Sequence, residues 1–143
     1  MQLGAIVDAY YFGDGSKYPE YLHKFTAEAC WYTKGSGIYH LFYDSKYLIP
    51  DLRFTATVSY IPNTMMQFFG FNGYAAPYIR ENERAFYAIR RNVLRAIVDF
   101  QGDIAGNFGW AAGISFYHYY TDRPAAKNYS GQTLYDIYVD TGL

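Results

Sequence analysis

Residues 52–60 read LRFTATVSY, and the fold turns on what each side of that stretch faces. Leu52, Phe54, Ala56, Val58 and Tyr60 fall on one side of an extended chain; Arg53, Thr55, Thr57 and Ser59 fall on the other. Alternation with a period of two marks a strand with one apolar and one polar face. Two opposite environments fit it. In a soluble sheet the apolar face packs a core and the polar face meets water. In a membrane barrel the apolar face meets lipid and the polar face lines the lumen.

The same pattern recurs outward from this stretch. Strand-sized segments occupy 4–12 (GAIVDAYYF), 23–33 (HKFTAEACWYT), 38–48 (IYHLFYDSKYL) and 107–120 (NFGWAAGISFYHYY), and the 52–60 strand is expected to end at Pro62 and Asn63. Turn residues follow each: GDGSKYP, KGSG, IPD and TDRP. In the second segment Phe25, Ala27, Ala29 and Trp31 oppose Lys24, Thr26, Glu28 and Tyr32. In the last, Trp110, Ala112, Ile114 and Phe116 oppose Gly109, Ala111, Gly113 and Ser115. The third is mixed, with Ile38 and Phe42 beside His40 and Asp44 on the face opposite Tyr39, Leu41 and Tyr43. Segments of about nine to fourteen residues exceed the usual soluble strand of about five or six and reach the roughly nine to eleven that a tilted membrane strand needs.

Composition narrows the partners. The chain has 143 residues, room for one domain, and a net charge of −1, which gives no bulk attraction for nucleic acid. Aromatic residues make up 22%, with 18 tyrosines. Tyrosine suits strands and wet–dry boundaries, the two places where membrane barrels use it. No apolar run is long enough for a transmembrane helix, and MQLGAIVDAYYFGDG lacks the basic opening of an export signal. The lipid-facing alternative therefore expects a piece of a larger barrel.

Residues 81–100, ENERAFYAIRRNVLRAIVDF, pull the other way. Arg84, Tyr87, Arg91, Arg95 and Asp99 would share one helical stripe, and pattern alone slightly favours a helix within an α+β fold. As a strand, Phe86, Ala88, Leu94, Ala96, Val98 and Phe100 share a face with Arg90 and Asn92, so Arg90 must lie near a membrane edge.

The run FFGFNGYAAPY at 68–78, followed by FYAIRRNVLRAIVDFQGDIAGNFGWAAGISFY at 86–117, resembles the bacterial surface antigen superfamily of outer-membrane barrels (BamA/TamA-like). The resemblance covers Phe68 to Tyr120 best. It implies that 85–100 is a strand, and that the chain is part of a bacterial outer-membrane barrel that assembles or translocates client polypeptides. No Arg precedes a Gly, so the family's Arg-Gly-Phe or Arg-Gly-Tyr loop motif is missing and no family functional residue carries over. LYDIYVDTGL at 134–143 is expected to open a further strand.

The resulting expectation is an all-β, antiparallel up-and-down transmembrane barrel, partial, of about six to seven strands, with 1–143 as one domain. Its partners are outer-membrane lipid, the rest of the barrel and a client polypeptide, without nucleic acid, cofactor or enzymatic activity. Asp8, Glu28, Asp44 and Asp99 are expected to face Lys24, Arg53, Arg91 and Arg95 across the interior, and Glu28, Arg53, Arg91, Arg95 and Asp99 are the candidate lumen charges. His23, His40 and His118 are too scattered for a metal site, and Cys30, the single cysteine, reads as a structural thiol. The alternative is a soluble β-barrel or β-sandwich that holds an apolar or sugar ligand on its aromatic face.

Overall fold

The computed structural model describes residues 2–33, 35–70, 78–80, 82, 84–106, 108–123 and 131–142. The residues that carry the FNGYAAP part of the family resemblance, 71–77, lie outside them. Six strands form one sheet in the order β1-β2-β3-β4-β5-β6: β1 (Gln2–Tyr11), β2 (His23–Tyr32), β3 (Gly37–Ile49), β4 (Leu52–Gln67), β5 (Ala88–Ala105) and β6 (Phe108–Asp122). The fold is all-β: an antiparallel up-and-down sheet that stays open, with one short α-helix among the described residues, α1 (Leu134–Thr141). Among the described residues no ladder joins β1 to β6.

Register follows the alternation. Val7 pairs with Ala27, Ala27 with Leu41 and Leu41 with Val58, so one aliphatic row crosses four strands on one face. Ile6–Glu28, Glu28–His40 and His40–Ser59 form the corresponding row on the other. A one-residue slip would exchange the two faces, so the pattern pins the pairing.

Turn chemistry sets the breaks. Between β3 and β4, Pro50 leads into Asp51 at φ 60, a tight reversal with the second residue left-handed. The register shifts between Ser45 and Ile49, and the Ser45 hydroxyl takes over. It accepts from the Tyr47 and Leu48 backbone N–H groups at 3.3 and 3.0 Å and donates to the Leu22 carbonyl at 2.7 Å. The bulge thus keeps its freed amides bonded and ties the β1–β2 loop to β3.

Three expectations are corrected. The fourth strand does not end at Pro62 and Asn63 but runs to Gln67. Asn63 takes a left-handed φ of 55, and its N–H donates to the Asn92 side-chain oxygen at 2.7 Å. A side chain therefore supplies the bond that lets the strand bend and resume. Residues 84–100 are not an α-helix: a 3-10 turn over Arg84–Tyr87 leads into β5, so the strand that the family resemblance implied from residue 85 starts at Ala88. Of the stripe that suggested a helix, Arg84 and Tyr87 fall in the 3-10 turn, and Arg91, Arg95 and Asp99 share one face of β5. The last segment is not a strand but α1. Thr133 and Asp136 form a reciprocal capping box, and Gly142 closes the C-terminus at φ 69.

The chain divides into two compact units, Met1–Pro62 with Val93–His118 and Asn63–Asn92 with Tyr119–Leu143. The second holds a small core of its own. Tyr87 is buried, its ring lies 5.2 Å from Phe69 and 5.3 Å from Tyr78, and its hydroxyl accepts from the Ile79 N–H and the Asn82 side chain. Phe68 meets Tyr135 and Tyr138 of α1 edge-on at 5.7 and 5.4 Å. Asp136 is buried and ion-paired to Arg123.

Candidate functional site: the shielded polar face

Within the first unit, burial runs opposite to polarity. On the polar face Asp44 is 2% exposed, Ser45 0% and Ser59 2%; on the apolar face of the same strands Leu41 is 61% exposed and Val58 46%. Phe25, Trp31, Tyr39 and Tyr60 are exposed as well. Soluble sheets bury the face that is greasy and leave the polar one wet. Here the strands shield the hydroxyls and charges and turn the hydrocarbon outward.

Aromatic rings on the apolar face gather at two levels. One is a chain across five strands: Tyr11 stacks on His23, His23 on Tyr43, and Tyr43 contacts Phe25 at 4.8 Å and Phe54 at 5.9 Å, with Phe100 5.3 Å further on. The other is the Tyr39–Tyr60 stack at 6.4 Å. Between them lies the aliphatic row Val7–Ala27–Leu41–Val58. Aromatic rings thus flank the aliphatic row on both sides along the strands.

The polar face is held by pairing within the sheet. Arg53 Nε and Nη2 donate to both oxygens of Asp44 at 2.8 and 2.7 Å, a bidentate fork, and the Tyr21 hydroxyl donates to the same carboxylate at 2.6 Å. That hydrogen bond to a carboxylate raises the Tyr21 phenol above its ordinary range. Lys24 lies 3.8 Å from Asp8 and over the Tyr10 ring. Glu28 lies 3.6 Å from His40 Nδ1 and accepts a weak 3.7 Å contact from the Cys30 thiol. Cys30 fills the space a side chain at Gly4 would need. Arg95 donates to the Ser59 hydroxyl at 3.2 Å. The Asp99 carboxylate lies directly against Gly113. Ile38 and Phe42, the apolar residues expected on this face, sit there half-buried, Phe42 between Thr26 and Thr57.

The sequence-derived candidates thus divide. Arg53 meets Asp44 and Lys24 meets Asp8, as opposed charges should. Glu28 meets a histidine instead. Arg91 and Arg95 meet no carboxylate among the described residues: Arg91 lies over the Tyr119 ring at 5.2 Å, and Arg95 bonds a hydroxyl. The Nε atoms of both, and His40 Nε2, are buried without a partner. Arg90 lies three residues into β5, and its guanidinium meets Asp122, the last residue of β6, at 2.9 Å. Asn92, the other polar residue on the apolar side of β5, is occupied by the Asn63 N–H. Tyr21 had no sequence signal, because a loop residue gains its role only through the fold. Among the described residues no group of three or more His, Cys, Asp or Glu side chains is placed to hold a metal ion.

The class defined by these observations is an open up-and-down sheet whose apolar face is bare and whose polar face is shielded. No family model matches the chain, and no curated protein or solved structure matches it significantly.

Proposed function

We propose that this chain is a membrane-embedded part of a bacterial outer-membrane β-barrel. The observation that carries the proposal is the inverted burial of the central strands, with Asp44, Ser45 and Ser59 shielded while Leu41 and Val58 are bare. Apolar patches of this extent on a water-soluble surface mark an interface. A bilayer is the interface that wets a continuous, belt-edged band. In this reading the apolar face meets lipid, the polar face lines a lumen, and further strands continue the sheet beyond β1 and β6. The family resemblance over Phe68–Tyr120 supports a finer proposal, that the whole barrel assembles or translocates client polypeptides.

The two tryptophans test the embedding. Trp31 and Trp110 lie on the apolar side, and both are partly exposed. The chain folded into phosphatidylcholine vesicles carrying brominated acyl chains should lose most of its tryptophan emission, and Trp31→Phe and Trp110→Phe should each leave a quenchable residue. Emission that bromine does not touch, in a chain that is monomeric and folded in plain buffer, overturns the proposal and favours the soluble barrel.

A further inference from the structure

An open recess of about 1430 Å³ lies in the first unit beside the bidentate Asp44–Arg53 pair. Its wall shares Tyr21, Asp44 and Arg53 with the polar face described above, and the proposed membrane embedding assigns the recess no ligand. Tyr21, Tyr47, Gln101 and Asp103 are among its walls. From the polar groups that converge on it we infer that the recess binds a neutral oligosaccharide.

Three features carry the inference. First, Arg53 is fixed before any ligand arrives. Two of its nitrogens are held by a buried carboxylate that Tyr21 also clamps, while its side chain is half exposed. A guanidinium locked in this way presents its free edge at little entropic cost. Second, the charges exclude the simpler ligands. The lining holds four acidic residues, Glu20, Asp44, Asp51 and Asp103, and two basic ones, Lys46 and Arg53. The excess of two negative charges repels phosphates and carboxylates, and the two cations penalise a polybasic ligand. A polyol meets both: its hydroxyls donate to carboxylates and accept from a guanidinium without a charge of its own. Third, Tyr21 and Tyr47 supply rings with apolar bodies and polar tips, the side chains that sit against a surface that is alternately C–H and O–H. The volume exceeds the roughly 300–1,000 Å³ of a drug-sized pocket, so the ligand is a short chain of sugars rather than one ring.

Calorimetric titration tests this with maltoheptaose and chitohexaose as neutral probes, and with inorganic phosphate and tetralysine as charged ones. The chain is used in whichever medium folds it, vesicle or buffer, so the result stands apart from the outcome of bromine quenching. Saturable binding of a neutral probe is expected, weakened about tenfold by Gln101→Ala or by Asp103→Asn. Both residues are exposed at the recess, so these variants leave the fold intact. Arg53→Lys, which keeps the charge and loses the fork, should weaken it further. Absence of saturable heat with either neutral probe, preference for phosphate or tetralysine, or binding unchanged in both Gln101→Ala and Asp103→Asn overturns the inference.

Discussion

Replacing Val58 by arginine separates water from hydrocarbon as the medium on the apolar face. Val58 is nearly half exposed and sits in the aliphatic row between the two aromatic belts. Tyr60 lies two residues from it and Phe54 four residues away on the other side. In the proposed bilayer, at about 3.3 Å per residue and a tilt of about 40°, those intervals would be about 5 and 10 Å of depth. Val58 then lies within the band, where an arginine costs about 2–4 kcal/mol at the midplane and less toward either belt. About 2–3 kcal/mol is expected. In water the same substitution at an exposed strand position stays within about 0.5 kcal/mol. Thr57→Arg, one residue along, places the charge on the polar face and should be mild. Guanidinium titrations of folding in phospholipid vesicles, followed by tryptophan emission, read both variants, and Val58→Gln controls for lost packing. Equal effects at 57 and 58, or a Val58→Arg effect below about 0.5 kcal/mol in a folded chain, refute a hydrocarbon environment on one side only.

Other perturbations probe the pairing beneath. Arg53→Ala strips two of three hydrogen bonds from buried Asp44 and should destabilise by about 2–3 kcal/mol, discounted because the arginine is half exposed. Adding Asp44→Asn should recover part of that loss in the same titration, and no recovery would deny a penalty for a stranded carboxylate. Gly113→Ala would drive a Cβ into the Asp99 carboxylate and to 2.8 Å from the Val98 carbonyl, for about 1–3 kcal/mol, whereas Gly109→Ala meets only contacts of 3.5 Å or more and should be near neutral by thermal melting. Burial opposes ionisation of Asp136, but the Thr133 hydrogen bonds and Arg123 outweigh it and hold the carboxyl below the usual aspartate range. Its folded value lies under the unfolded value of about 3.9, so its stabilisation is full above that and disappears as pH falls through the folded value. Helical circular dichroism should therefore fall in acid more steeply than in Asp136→Asn, and superimposable profiles between pH 6 and 2 would contradict this.

Much of the sheet was legible because alternation is a local property. Five strands begin within two residues of where turn chemistry placed them, and in β1 to β4 the register puts the residues the pattern assigned on each face. The failures have separate causes. Pro62–Asn63 reads as a stop, yet an amide from a distant strand satisfies the irregular backbone. The Arg84–Asp99 stripe matches a helical period as well as a strand that alternates arginine with isoleucine and valine. The closing segment hid its helix because the capping box uses Asp136 rather than glutamate, and its tyrosines mimic a strand. The Asp44–Arg53 fork was foreseeable as opposed charges near a turn. Tyr21 and the Ser45 hub were not, since both depend on where the β1–β2 loop folds back.

The inverted burial also explains why the polar face is so heavily bonded. With hydrocarbon turned outward, these strands give up most of the apolar burial that stabilises a sheet in water, at roughly 25 cal/mol per Å². Order on the inner side must come from pairing instead. Asp44, Ser45 and Ser59, the polar residues most deeply buried there, each have a named partner. Among the described residues the exceptions on that face are His40 Nε2 and the Nε atoms of Arg91 and Arg95; Arg90 Nε, also without a partner, lies on the apolar side of β5. A sheet that closed upon itself in water could bury valines at those sites at no penalty. Arginines kept with a nitrogen unpaired are costly in a dry core and tolerable beside a wet one, because neighbouring water or a passing polar chain can complete them. Bare hydrocarbon on one side and the under-satisfied donors of His40, Arg91 and Arg95 on the other are what the proposed bilayer around an aqueous interior would accommodate.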